Sequence, residues 1–198
     1  DIFHQAKVNF DERSELVTVV SKAIGRRMDQ LIIDALDAAS SPSTVAKTVV
    51  TSGSAAASNL NVGKLIAAKK ALDAKNVPFD DRHIVIHANS LSGLLGDERA
   101  ISGDFASIKA LVSGEINTFL GFNFYVLGDR DEGGLPLSSS DRTCFAFHRS
   151  ACGMAVNMNQ KTEINYVPEK TSFLVNSMFS AGAVAIDDEG IVKITCEE

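Results

Sequence analysis

The sequence predicts an α+β fold: one long helix, a short helix–strand–helix centre and a strand-rich last third. Three observations carry this. Apolar residues recur at helical spacing without interruption over residues 14–39. The last third is a series of short apolar runs separated by turns rich in Gly, Asp and Ser. Helix and strand signals do not alternate along the chain, as a βαβ repeat would require.

The elements follow in order. Residues 1–11 read as an extended entry, with Val8 and Phe10 alternating with polar neighbours. Residues 14–39 hold no Pro and a single Gly, and Leu16, Val20, Ile24, Leu31 and Ala35 form one stripe. Ser14 is the expected N-cap, with Asp11, Glu12 and Glu15 near the positive end of the helix dipole. The run stops at Ser40-Ser41-Pro42, because Pro disfavours helix in the residue before it. Such a helix is about 39 Å long at 1.5 Å per residue.

Residues 43–58 are small and polar, a loop or weak hairpin with a β-like run at Val49-Val50. A second helix is expected at 61–75, capped by Asn59 or Asn61, with Val62, Leu65, Ile66, Lys69 and Leu72 as its stripe. Residues 82–87 are a strand, 88–97 and 104–113 short helices, and 121–127 another strand. A loop rich in Gly, Asp and Ser covers 128–141. Strands are then expected at 143–149, 152–158, 163–168 and 171–180. A last hairpin pairs 183–186 with 191–196 across Asp187-Asp188-Glu189-Gly190, with Gly190 supplying a positive φ.

Composition narrows the function classes. A chain of 198 residues with 45% hydrophobic residues can bury a core without disulfides or metal. The net charge of −6 argues against tight nonspecific nucleic-acid binding, though not against a container that surrounds nucleic acid. Three cysteines, Cys144, Cys152 and Cys196, suggest a reducing compartment. There is no run of about 18 apolar residues and no basic-then-apolar leader, so neither a membrane helix nor a signal peptide is expected. The chain begins at Asp1 instead of Met, which leads us to expect a processed or trimmed product of something longer.

Catalytic signatures are sparse. Gly63-Lys64 lacks the upstream Gly of a phosphate-cradling loop. Cys144, His148 and Cys152 are soft and imidazole ligands four residues apart. On a strand, however, that spacing is about 13 Å at 3.3 Å per residue. His83 and His87 are likewise too far apart on one strand to share an ion. Asp129-x-Asp131-x-Gly133 begins like a calcium loop and then fails. No cofactor or metal is therefore expected. The alternative is a small α+β hydrolase or metal-dependent enzyme using Cys144, His148, Asp141 and the loop carboxylates.

The order and spacing of the elements resemble those of tailed-bacteriophage major capsid proteins, which have the Hong Kong-type phage capsid fold. Residues 14–40, and the string GRRMDQLIIDAL at 25–36 above all, resemble the spine helix. Residues 61–97 resemble the helix, strand and short helix of the axial domain; 114–129 and 142–157 resemble its later strands; 173–196 resemble the closing peripheral hairpin. The resemblance implies a peripheral part at 1–58, an axial domain at 59–160 and a return to the peripheral sheet at 161–198. It implies a structural, non-enzymatic subunit of an icosahedral head. That subunit would self-assemble into rings and a shell around double-stranded DNA. Scaffolding and portal proteins would be its further partners, with assembly in the host bacterial cytoplasm and final residence in the virion. A shell decoration protein of the same fold is a third reading. Within the helix, Arg26, Arg27 and Asp29 are the expected residues for ion pairs between subunits.

Overall fold

A computed structural model describes residues 12–51, 53–96, 118–130 and 133–198. The extended entry expected at 1–11 and the helix expected at 104–113 lie outside the described residues.

The long helix α1 (Glu12–Asp37) runs 26 residues. It starts two residues before the expected cap, so Ser14 is in its first turn. There the Ser14 carbonyl accepts a 3.0 Å hydrogen bond from the Thr18 hydroxyl. The buried side chains of α1 begin at Ile24, at its middle, and continue with Ile33, Ala35 and Leu36. Its C-terminal end, where the backbone carries partial negative charge, meets a remote cation. Lys193 Nζ donates to the Asp37 carbonyl at 2.6 Å and to its carboxylate at 3.2 Å. Nothing local to the helix predicts that cap.

The next segment corrects the reading of 43–58. Its strand is β1 (Ser43–Val45) and not Val49-Val50. Val49 lies in a loop whose carbonyl accepts from Ser58 Oγ at 3.3 Å and Asn61 Nδ2 at 3.0 Å. Helix α2 (Val62–Ala74) is capped by Asn61, which accepts from the Lys64 N–H. Its buried stripe is Val62, Lys64, Leu65, Ala68 and Leu72, and the expected Ile66 is exposed. Lys64 goes inside because Nζ finds two carbonyls there, Ser58 at 2.5 Å and Thr195 at 3.0 Å. A buried ammonium is tolerated when its donors are paired.

Strand β2 (Arg82–His87) leads directly into α3 (Ala88–Leu95), whose cap is the His87 ring accepting from the Asn89 N–H. Short β3 (Thr118–Phe119) turns through Leu120 and Gly121, both at positive φ, into β4 (Phe122–Leu127). After β5 (Leu137–Ser138), strand β6 (Asp141–His148) crosses the centre of the molecule.

Two further expectations fail here. The separate strands at 152–158 and 163–168 are one strand, β7 (Cys152–Val167), with irregularities between Val156 and Lys161. Those bulges break the alternation that would reveal a single strand. The expected hairpin of 183–186 with 191–196 does not form. Strand β8 (Ser172–Ala185) pairs with β7, while β9 (Ile191–Glu197) pairs with β6 and β1. The link at 188–190 is a 3-10 turn capped by Asp187, which redirects the chain instead of reversing it. Gly190 is not at positive φ; a Cβ there would stand 2.8 Å from the Ala151 Cβ, so close packing demands glycine.

The strands form a seven-stranded mixed sheet in the order β1-β9-β6-β2-β4-β3, with β5 on β6, and a separate two-stranded ribbon of β7 and β8. Ile84 and Ile86 of β2 and Cys144 of β6 are fully buried on the face covered by α2 and α3, and Cys144 Sγ sits 3.7 Å from Ser90 Oγ of α3. On the other face Val85, Tyr125, Leu127 and Phe147 share a crevice with Ile32, Ile33 and Leu36 of α1. The outer half of α1 extends past this body and carries the ribbon, tied by Ser21 Oγ to Gln160 Oε1 at 3.3 Å.

Candidate assembly surface

The ribbon and the outer half of α1 are apolar where nothing covers them among the described residues. Along β8, exposure alternates with the pleat: Val175, Phe179, Ala181 and Ala183 lean toward α1, and Leu174, Met178 and Val184 point away. On β7, Met154, Val156, Ile164 and Tyr166 are exposed, and Tyr166 stacks against Phe173 at 5.3 Å. On α1, Leu16 is 50% and Val19 59% exposed. Two-stranded sheets are marginal alone, and contiguous exposed apolar surface of this kind marks an interaction site.

The expected interface residues are on this helix, and each has company within the chain. Arg27 Nη1 is 3.9 Å from Asp34 Oδ2, and Arg130 Nη1 is 3.3 Å from Asp29 Oδ2. Arg26 is half-buried and has an interaction of its own. Exposed pairs like these contribute about 0–1 kcal/mol and exchange partners readily.

The residues of the enzymatic alternative do not converge. Cys144 is buried beneath α3. His148, at the far end of the same strand, bonds Ser150 Oγ at 2.7 Å and caps the turn at Arg149–Ala151. Asp141 pairs with Lys47 at 2.9 Å, at the other end of β6. Hydrogen bonding with Cys196 lowers the Cys144 thiol and pushes the Cys196 thiol up, but Cys144 is fully buried and out of a substrate's reach, and burial pushes Cys152 up, away from a thiolate. Among the described residues no three His, Cys, Asp or Glu side chains are grouped to hold a metal. No helix of the described residues is long and apolar enough to cross a membrane.

One polar cluster escaped the sequence reading. His87 Nδ1 is 3.0 Å from Glu198 Oε1, and Arg142, also buried, is 2.9 Å from both Glu198 and Asp129. It ties residue 198 to the 128–135 loop and to α3. Its members are far apart in sequence, so no spacing could disclose it.

A half-buried rod, a separate ribbon and an intact sheet body make a lobed molecule with apolar margins and, among the described residues, no assembled catalytic centre. The phage capsid protein family model matches residues 1–198. The chain belongs to the phage capsid protein family.

Solved structures place this capsid protein among phage capsid folds. A chain from Mycobacterium phage Che8 is similar with a TM-score of 0.68 and 19% identity, over 98% of this chain and 66% of that one. The capsid structure of cyanophage P-SCSP1u is similar at 0.71 and 17%, over 100% and 69%. The capsid of Helicobacter pylori bacteriophage KHP30 is similar at 0.69 and 11%, over 99% and 71%. The capsid protein thus spans about two-thirds of the length of these chains, and at such identities the likeness is one of fold. No curated protein matches it.

Proposed function

We propose that this capsid protein is one tile of an icosahedral phage head, closing with copies of itself around double-stranded DNA. The observation that carries the reading is the apolar surface of the helix–ribbon lobe, left outside beside a sheet body that holds a continuous buried core. Family membership and the capsid structures it resembles support a structural role in the virion.

In this reading the peripheral lobe consists of α1 with the ribbon β7–β8. The axial lobe is built on the described residues of 59–148, and we group β9 with it because it pairs with β6 and β1. The 128–141 loop makes contacts around the symmetry axis. Arg26, Arg27 and Asp29 exchange their present partners for groups on a neighbouring tile. The net charge of −6 suits a wall that encloses DNA without gripping its phosphates. Scaffolding and portal proteins are the further partners, and assembly takes place in the host cytoplasm.

Electron microscopy of the expressed full-length protein tests this: closed icosahedral particles are expected. A protein that stays monomeric at high concentration, with or without a co-expressed scaffold, refutes it. Arg27→Glu is expected to reduce particle yield while the purified subunit keeps its melting temperature. A lowered melting temperature would instead assign Arg27 to holding the subunit together.

A further inference from the structure

Three passages of the chain join the helix–ribbon lobe to the sheet body among the described residues. α1 leads into β1 through 38–42, β6 into β7 through 149–151, and β8 into β9 through 186–190. All three meet at one point. The Ser41 N–H donates to Asp188 Oδ2 at 2.9 Å. The Ala151 carbonyl accepts from two successive N–H groups, Ile186 at 2.8 Å and Asp187 at 3.3 Å. Asp187 in turn caps the 188–190 turn, accepting from the Glu189 N–H at 3.0 Å.

Within this knot Ala151 and Gly190 touch. Ala151 is the last residue before the ribbon, since β7 begins at Cys152. Gly190 is the last residue before the closing strand of the sheet body, since β9 begins at Ile191. Both are buried. A Cβ on Gly190 would stand 2.8 Å from the Ala151 Cβ, inside the carbon–carbon contact distance of about 3.5–4.0 Å. The root of the ribbon therefore rests on the margin of the sheet with no room to spare. Both neighbours are braced. The Arg149 N–H donates to the Asp81 carbonyl at 3.1 Å, and the His148 ring caps the turn at Arg149–Ala151. Ile191 is in register with Phe147 of β6.

The ribbon amplifies any change at this root. Its first pair, Cys152 with Ala185, follows Ala151 directly. β8 runs 14 residues, about 46 Å at 3.3 Å per residue. A small displacement at the root of so long an arm becomes a larger one at its far turn, 168–170, and close packing transmits it instead of absorbing it.

Resting on the shell reading above, we propose that Ala151 and Gly190 form the joint that sets the angle at which the helix–ribbon lobe leaves the sheet body, and with it the curvature at which copies of this chain close. Copies close only when successive tiles meet at a fixed rotation. A lobe held at a fixed angle to the body gives each tile that constancy.

Two arms test this on the full-length protein. In the first, spin labels on Lys70→Cys of α2 and Lys170→Cys at the far turn of the ribbon, both exposed positions, report the lobe angle in the unassembled subunit by pulsed electron paramagnetic resonance. Cys152→Ser removes the half-buried thiol, and Cys144 and Cys196 are fully buried and stay unlabelled. Gly190→Ala is expected to shift the mean distance between the labels. Adding Ala151→Gly removes the opposing Cβ and should return the distance to the wild-type value. An unchanged distance in Gly190→Ala, or a double variant that does not return it, overturns the joint. Where Gly190→Ala does not fold, Ala151→Gly alone carries the test: its distance distribution should broaden, and one as narrow as that of wild type overturns the joint. In the second arm, Gly190→Ala is expected to give particles of altered diameter or open sheets under the electron microscope, and the double variant particles of wild-type diameter. Wild-type particles from Gly190→Ala overturn the link to curvature while leaving the shell reading intact. If wild type forms no particles, the shell reading fails by itself, and the label distance still judges the joint.

Discussion

The sheet body and the helix–ribbon lobe handle polarity in opposite ways. In the body, charged groups go inside with their partners: Arg82 with Asp73 and two carbonyls, Lys64 with two carbonyls, Arg142 with Asp129 and Glu198. In the lobe, apolar side chains stay outside with nothing over them among the described residues. A buried charge without partners costs several kcal/mol, so the body tolerates only completed sets. An exposed leucine costs the monomer little, so the lobe can hold apolar surface in reserve for a second molecule.

That contrast can be broken most severely at Arg82. Arg82→Leu leaves Asp73 and two carbonyls without their donor and should cost about 3–5 kcal/mol in urea unfolding. A loss below about 1 kcal/mol would show that the network is ornamental to stability. Next comes a pair on one helix. Leu36→Ala, at a fully buried position of α1, should cost about 2–5 kcal/mol. Leu16→Ala, in the exposed half, should stay within about 0.5 kcal/mol. Equal costs would mean that the outer half is packed after all.

Lys64→Met should cost about 1–3 kcal/mol by stripping the Ser58 and Thr195 carbonyls of their donor. It also has a pH signature. Burial holds the folded-state pKa of Lys64 below its ordinary 10.5. In the window beneath 10.5 the unfolded chain therefore binds more protons than the folded one, and wild-type stability gains from this group as pH rises. The gap between wild type and Lys64→Met should widen on going from neutral to alkaline pH; a constant gap would mean the ammonium is not truly buried. A small effect on stability is also expected on the ribbon. Ile164→Ser with Tyr166→Ser should change unfolding by less than about 1 kcal/mol, yet reduce particle yield of the full-length protein. Unimpaired particles would remove the ribbon from the assembly surface.

The parts of this arrangement legible in the sequence are those that depend on near neighbours. The 3.6-residue period exposed α1, and Asn61 announced α2, because both signals lie within a few residues of the element they specify. The irregular stretch at 156–161 hid the unity of β7, since bulges interrupt the two-residue period. Asp187 to Gly190 looked like a reversal because turn residues specify a bend and not the strand that follows it. Ile66 and Lys64 traded places because an isolated helix reading assigns lysine to water. The cluster of His87, Arg142, Asp129 and Glu198 had no local signature at all.

By itself, the chain's order of residues determined a long rod, a central helix–strand unit, a strand-rich end and the family whose pattern they follow. These rest on periodicity and capping, which act over a few residues. Tertiary structure alone decided that β9 joins β6 and β1 instead of β8, that Lys193 caps a helix 156 residues away, and which apolar side chains stay outside. Strand pairing and burial depend on which distant segments meet, and that is settled only when the whole core closes.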